Sequence, residues 1–266
     1  MINAATISAD LRALGLAEGM NVVVHSSLSS LGWVEGGADA VIDALLAAIG
    51  KAGTLVMPTF TFPPVPVFDP LTTRSTVGLI TETFRKRNGV LRSLHPTHSV
   101  AVFGPLARHF VDGHPAATAL GVDSPLHRLV LSGGYVLLLG VQHTSNAMVH
   151  VGEAVARVAY LDLPYSDLYN VTLTVRLSDG HEILFPPKEN PGCSVNFNVI
   201  ETPLRQRGAV RYGKISNADS QLVRVIDIIE VVGKLVAQDP AALLCDVEWC
   251  PFCPRARELT VKTKKA

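Results

Sequence analysis

Apolar positions in the first 160 residues fall into short β-branched blocks separated by stretches of helical period. NVVVH (Asn21–His25) is a compact run of valines. GADAVIDALLAAIG repeats its apolar residues three and four apart until Gly50 stops it, and GTLVMP is a second short run closed by Pro58. Strand, loop, helix and strand in that order form one unit of an α/β fold. TFTFPPVPVFDPLTT follows, whose prolines forbid a regular element, and a helix is then expected over Val77–Arg87. HSVAVFG and YVLLLGV supply two further strands, with Ser124 and Pro125 placed as N-cap and first-turn residue of a helix between them.

After Tyr160 the pattern changes. VTLTVRL and HEILF flank Ser178-Asp179-Gly180 as a hairpin would, and a long apolar-periodic helix is expected from about Asp219 to Ala237. No repeat or low-complexity linker divides the chain. The reading is therefore a single α/β domain over residues 1–266: a central mixed sheet flanked by helices in residues 1–160, and a C-terminal α+β extension, residues 161–266, packed on the same body and shaping a pocket.

Composition narrows the possible partners. Hydrophobic residues make up 48% of the chain, ample for a large core, and 23 basic residues balance 23 acidic ones, so no overall field recruits nucleic acid or an anionic membrane. The N-terminal residues read as a short amphipathic helix, not a signal peptide, and no run reaches the roughly 18 apolar residues of a membrane span. These features point to the cytoplasm and to small-molecule partners, and they are compatible with a homodimer.

The chain lacks G-x-x-x-x-G-K-[ST], a G-x-G-x-x-G after a strand, G-x-S-x-G and H-E-x-x-H, which removes most support for nucleotide hydrolysis and zincin-type proteolysis. Polar residues instead gather at strand ends: His25-Ser26-Ser27 and Thr59-Phe60-Thr61 lie beyond carboxyl ends, where ligands bind in open α/β sheets, whereas the HPTHS of residues 95–99 precedes its strand. The fourth cluster follows YVLLLGV. Asn146, His150, Glu153 and Arg157 fall at i, i+4, i+7 and i+11 of a helix otherwise covered by Ala147, Met148, Val149, Val151, Ala154 and Val155. Such a stripe either faces water or lines a site.

Four blocks, in order over about residues 20–160, carry a resemblance: VVVHSSLSSLGWVEGGADAVIDALLAAIGKAGTLVMPTFTF, HPTHSVAVFGP, SPLHRL and VLLLGVQHTSNAMVHVGEA. Together they resemble the aminoglycoside 3-N-acetyltransferase family, which uses acetyl-coenzyme A, and LLCDVEWCPFCPRAR resembles the tail of one branch of it. The phosphate loop of the GNAT superfamily is absent. The resemblance implies a coenzyme site formed by His25, Ser26, Ser27 and Ser29 with Leu31, Gly32 and Val34, and with Thr59, Ser99 and Val100 near the thioester end. A serine-rich loop ahead of a helix suits phosphate.

Acetyl transfer to an amine also needs a base, and the resemblance places it at His150. A free imidazole titrates at about pH 6.5, so it is largely neutral and able to accept a proton at pH 7. Glu153 would then orient that ring or bind the substrate ammonium. The implied acceptor contacts are Asp69, His98, Glu189 and Asn196. Relatives acting on aminoglycosides tend to carry a further acid in the segment read here as KENPGCSVNFNVIE, where only Glu189 and Glu201 are available. The expected reaction is direct attack of the amine, foremost the 3-amino group of an aminoglycoside, in a ternary complex. Alternatives are another amine acceptor, a metallohydrolase ligated by His25, His98, His150 and Glu153, or a non-catalytic binding protein.

Cys245-x4-Cys250-x2-Cys253, with Cys193 as a fourth donor, has the ligand types that zinc takes, but a single C-x2-C lacks its partner pair. The favoured reading from spacing is three half-buried thiols in a C-terminal turn, with zinc at Cys245, Cys250 and Cys253 as the less favoured alternative.

Overall fold

The computed structural model describes residues 1–114, 119–163, 172–185 and 191–263. In chain order the elements are α1 (Ala4–Leu14), β1 (Asn21–Ser26), α2 (Gly37–Ile49), β2 (Thr54–Pro58), β3 (Val67–Phe68), α3 (Leu79–Phe84), β4 (Leu91–Arg92) and β5 (Val100–Phe103). There follow α4 (Ala107–Val111), α5 (Pro125–Leu131), β6 (Tyr135–Leu139), α6 (Met148–Val155), β7 (Leu173–Arg176) and β8 (Glu182–Phe185). The chain continues with α7 (Glu201–Gln206), β9 (Val210–Ile215), β10 (Ala218–Arg224), α8 (Val225–Gln238) and α9 (Cys253–Thr263). Among the described residues, no helix is long and apolar enough to cross a membrane.

The main sheet runs β4-β5-β2-β1-β6-β10-β9. β2, β1 and β6 are parallel, and the strands outside them pair antiparallel. Because strand side chains alternate between faces, β1 feeds two cores. Val22 and Val24 pack with the buried faces of α1, α2 and α3, whereas Val23 joins the core beneath α5, α6 and α8. This is the α/β fold with a mixed sheet expected from the sequence. A second sheet, β3-β7-β8, encloses a small core of Phe68, Leu173, Val175 and Phe185, and the expected Ser178-Asp179-Gly180 turn joins β7 to β8.

Two expectations differ from the structure, and one element was not expected. The helix expected from Asp219 begins only at Val225. Residues 218–224 are β10, which inserts antiparallel between β6 and β9. The apolar residues of LVRVIDIIEVV satisfy a helical period right through the boundary, so periodicity alone cannot find it. β9 escaped the sequence reading altogether. Its signal is the two-residue connection Ser216-Asn217, with Ser216 at φ 53°, joining Ile215 to Ala218. The helix expected over Val77–Arg87 is shorter, Leu79–Phe84.

α6 reaches its place through a close helix contact. A methyl group on Gly152 would lie 2.8 Å from Cβ and Cγ1 of Val232 on α8. Gly152→Ala should therefore destabilise the protein by about 1–3 kcal/mol through overpacking, outweighing the roughly 1 kcal/mol helix advantage of alanine. Adding Val232→Ala should restore much of the loss. Urea denaturation of the single and double variants checks this, and a Gly152→Ala protein as stable as the parent would show that α8 is free to shift.

Candidate active site

β1, β2 and β6 end on the same edge, at Ser26, Pro58 and Leu139. β5 runs the opposite way, so its first residue, Val100, lies across from Pro58. That reversal brings residues 95–99 to the strand ends. A cleft of about 340 Å³ opens there, lined by His25, Ser26, Phe60, His98, Asn146 and His150 among others. Its size suits a small ligand.

His150 and Glu153 lie on α6 with exposures of 8% and 1%, and Asn146 is also buried, so the polar stripe does not face water. The stripe is interrupted at both ends, because α6 starts at Met148 and Arg157 lies beyond it at φ 53°. Nδ1 of His150 is 2.6 Å from Oε2 of Glu153, and the Tyr160 hydroxyl donates to Oε1 at 2.6 Å. Burial, and then the charge of Glu153, push the Tyr160 phenol well above its ordinary range, so it stays a donor. A carboxylate only accepts. A neutral His150 therefore carries its hydrogen on Nδ1 and keeps the Nε2 lone pair free, on a ring that lines the cleft. Phe197 packs edge-on against that ring at 4.6 Å between centroids. The sequence reading missed both Tyr160 and Phe197, because only the turn after α6 and the 3₁₀ segment Phe197–Ile200 bring them in.

The other two histidines of the cleft, His25 and His98, are held neutral. Burial, and then the neighbouring His143, lower His25 to about 3, and its Nε2 accepts from the Ala147 N–H at 3.3 Å. Burial, then His150 and His114, hold His98 well below its ordinary range, and Phe60 and Phe62 pack on its ring. The turn of residues 95–98 is anchored by His95, whose Nδ1 accepts from the His98 N–H at 3.0 Å. Asn146 acts as a local brace. Its amide reaches Nδ1 of His143 at 3.0 Å and its oxygen accepts from the Met148 N–H at 3.1 Å, while Nε2 of His143 bonds Glu201 at 2.9 Å.

The residues expected at the coenzyme separate into two groups. Ser26 lines the cleft, and its Oγ is buried without a hydrogen-bond partner among the described residues. Ser27 Oγ shares a bond of 3.1 Å with Ser29 and accepts from Ser30, which also reaches the Gly140 carbonyl. Gly32 turns the loop at φ 86°. Leu31 and Val34, in contrast, are buried in the core on the α2 side, and Val100 in the core on the opposite face. Thr59 and Ser99 are fully buried, bonded to each other at 3.0 Å and both to Arg92, behind the cleft wall.

Of the expected acceptor contacts, His98 lines the cleft. Asp69 closes its own turn by accepting from the Leu71 and Thr72 N–H groups, and Asn196 donates to the carbonyls of Ala242 and Leu244. Glu189 lies outside the described residues. His25, His98, His150 and Glu153 do not form a ligand set. Among the described residues, the His, Cys, Asp and Glu side chains placed to share one ion are Cys193, Cys245, Cys250 and Cys253.

The family model described as aminoglycoside 3-N-acetyltransferase matches residues 23–237. Aminoglycoside N(3)-acetyltransferase IV from a Salmonella species is 32% identical over 242 residues, which covers 90% of this chain and 89% of the relative. A crystal structure of aminoglycoside acetyltransferase AAC(3)-IVa, a histidine-to-alanine mutant in complex with a gentamicin, is similar with a TM-score of 0.86 and 32% identity over 97% of each chain. A structure of AAC-IIIb as a binary complex with CoASH has a TM-score of 0.78 at 27% identity, covering 89% of this chain and 96% of the other. This chain is thus an acyltransferase that belongs to the aminoglycoside 3-N-acetyltransferase family.

Proposed function

We propose that the protein transfers the acetyl group of acetyl-coenzyme A directly to an amine of an aminoglycoside, the 3-amino group, in a ternary complex with His150 as general base. In this reading the chain works as one domain, with residues 1–160 carrying coenzyme and catalysis. The observation that carries it is the chain from Tyr160 through Glu153 to His150, ending at the cleft. As the amine nitrogen bonds to the thioester carbon, its proton passes to Nε2. The imidazolium that forms keeps its Nδ1–H on the Glu153 carboxylate, which offsets the new charge. When the C–S bond breaks, that proton can follow to the departing thiolate, so the base is regenerated. Ser26 Oγ, without a partner and at the cleft, suits the thioester oxygen as it gains charge.

Glu153 fits an orienting role better than an ammonium-binding one. Both its oxygens already accept short hydrogen bonds, and 1% of it is exposed. The acceptor assignment rests on the family and on the gentamicin named with the related AAC(3)-IVa structure. Electrostatics agrees with it: His25 and His98 stay uncharged and so do not repel a polycation.

His150→Ala should lower kcat by about 10²–10⁴-fold while coenzyme affinity is unchanged. Glu153→Gln should lower kcat and leave the acceptor KM where it was; the opposite split in steady-state kinetics would assign Glu153 to the ammonium.

The donor side is tested at the exposed Ser29, because Gly32 at φ 86° would strain under any side chain. Ser29→Asp places a negative charge beside the phosphates and should weaken coenzyme binding by about 1 kcal/mol in calorimetric titration. Unchanged affinity in the folded variant would remove the serine loop from the site.

The neutral histidines also set the acid stability. His25, at about 3 in the fold against 6.5 when free, and His95 and His98, shifted the same way, take up protons on unfolding below pH 6.5. Their contribution is complete above that pH and is lost as pH falls toward 3, at up to about 1.4 kcal/mol per pH unit for each group. The melting temperature should fall steeply from pH 7 to pH 5, with calorimetric uptake of close to one proton per histidine. Equal melting temperatures at the two pH values would mean that these rings are charged in the fold.

A further inference from the structure

We propose that Cys193, Cys245, Cys250 and Cys253 bind one zinc ion as four thiolates, and that this ion fixes the wall of the cleft formed by residues 192–197. The sulfur atoms come from three separate stretches of chain and all lie within 4.8 Å of one another. A tetrahedral zinc with Zn–S bonds of about 2.3 Å requires sulfurs about 3.8 Å apart, and Cys193 and Cys245 stand at 3.8 Å. A disulfide would need about 2.05 Å, and all four cysteines are free. The partner pair that the sequence lacks for Cys250-x2-Cys253 is thus supplied by the fold, from Cys193 and Cys245.

The surroundings are those of a thiolate site rather than of thiols used as apolar filler. Backbone N–H groups point at the sulfurs: Val195 at Cys193 (3.5 Å), Cys245 at Cys253 (3.3 Å) and Cys253 at Cys250 (3.4 Å). Such bonds favour the charged form of the sulfur and orient metal ligands. Cys253 opens α9, where the helix dipole favours negative charge. Arg257 bonds the carbonyls of Leu244 and Cys245 at 3.1 Å and pairs with the Asp246 carboxylate at 2.5 Å, which braces the stretch that carries Cys245. Four thiolates this close repel one another unless a cation sits between them. Sulfur donors in tetrahedral array select zinc over magnesium, calcium or manganese. Cys245, Cys250 and Cys253 are buried and Cys193 is partly exposed, which leaves a route for the ion.

The ion would sit next to the chemistry. Cys193 lies between Gly192 and Ser194, which both line the cleft. Phe252, inside the Cys250–Cys253 turn, packs so closely on Gly192 that a Cβ there would meet its ring at 2.3 Å, and it meets Tyr160 edge-on at 6.0 Å. Tyr160 is the donor that holds Glu153.

The full chain, purified without chelator and without added metal, should contain one zinc per molecule by mass-spectrometric metal analysis. Titration with an organomercurial should release that zinc in step with four thiols. Protein made with cobalt in place of zinc should show the visible bands of a tetrahedral thiolate site. Folded protein with four freely titrating thiols and no stoichiometric metal would overturn the proposal, as would a disulfide among these cysteines or iron in place of zinc. These measurements use the unaltered protein, so they hold even where Cys193→Ser fails to fold. Where that variant folds, it should lose the zinc, keep its coenzyme affinity and raise the acceptor KM by about tenfold; an unchanged KM with the zinc gone would detach the ion from the cleft wall. Only the KM arm rests on the acetyl-transfer reading. Zinc present in a protein inactive on every amine would defeat that reading and leave the metal site standing.

Discussion

The site depends on one buried carboxylate. Taking a charged group such as Glu153 out of water costs several kcal/mol unless strong donors replace the lost solvent, so its neighbours are not free to vary. A phenol and an imidazole supply those donors at 2.6 Å each. In accepting them the carboxylate fixes which nitrogen of the imidazole bears hydrogen, and with it which nitrogen can act. The arrangement requires α6 to lie deep against α8, which a glycine at 152 permits. It also requires the chain to turn back at once, which Arg157 does in a left-handed conformation to bring Tyr160 within reach.

The mixed character of the sheet matters as much as its parallel centre. Had β5 run parallel to β2, residues 95–99 would stand at the opposite edge. Running antiparallel, it delivers His98 to the edge that β1 and β6 approach from the other direction. The same segment is stiffened by an imidazole that accepts from a backbone N–H and by Arg92, whose guanidinium lies 4.8 Å over the Phe68 ring while bonding Thr59 and Ser99. Hydrogen-bonded polar groups of this kind keep the wall behind the cleft rigid.

Much of this was legible in the sequence. The strand–helix alternation of the first 160 residues, the strand-end location of the polar clusters and the His150–Glu153 pair all follow from local pattern and from family-like blocks. What local pattern cannot express is distance between remote segments. Tyr160 reaches Glu153 and Phe197 packs on His150 only through turns, and β10 pairs with β6, and β9 with β10, although both lie far along the chain from β6. Leu31, Val34, Thr59 and Ser99 sit in the right blocks, yet their side chains point into the core or the wall, because a matching motif marks a backbone position and not the direction of a side chain. Asp69 and Asn196 bond backbone groups of the protein, which their sequence positions do not reveal.

The core on the α6 side includes Leu243, Leu244, Cys245, Phe252 and Ala256 together with strand residues such as Val23 and Val56. The opposite core draws chiefly on residues before 102, with a few from β6, β9 and β10. During synthesis, then, the two faces of the sheet mature at different times. The α2 face can bury most of its apolar surface early, whereas the face bearing His150 stays open until residues 243–256 have been made, since contacts between distant segments cannot form before both exist. The nascent chain therefore acquires its scaffold well before it acquires chemical competence, and the interval between the two is when its apolar surface is most exposed to chaperones and to other unfolded chains.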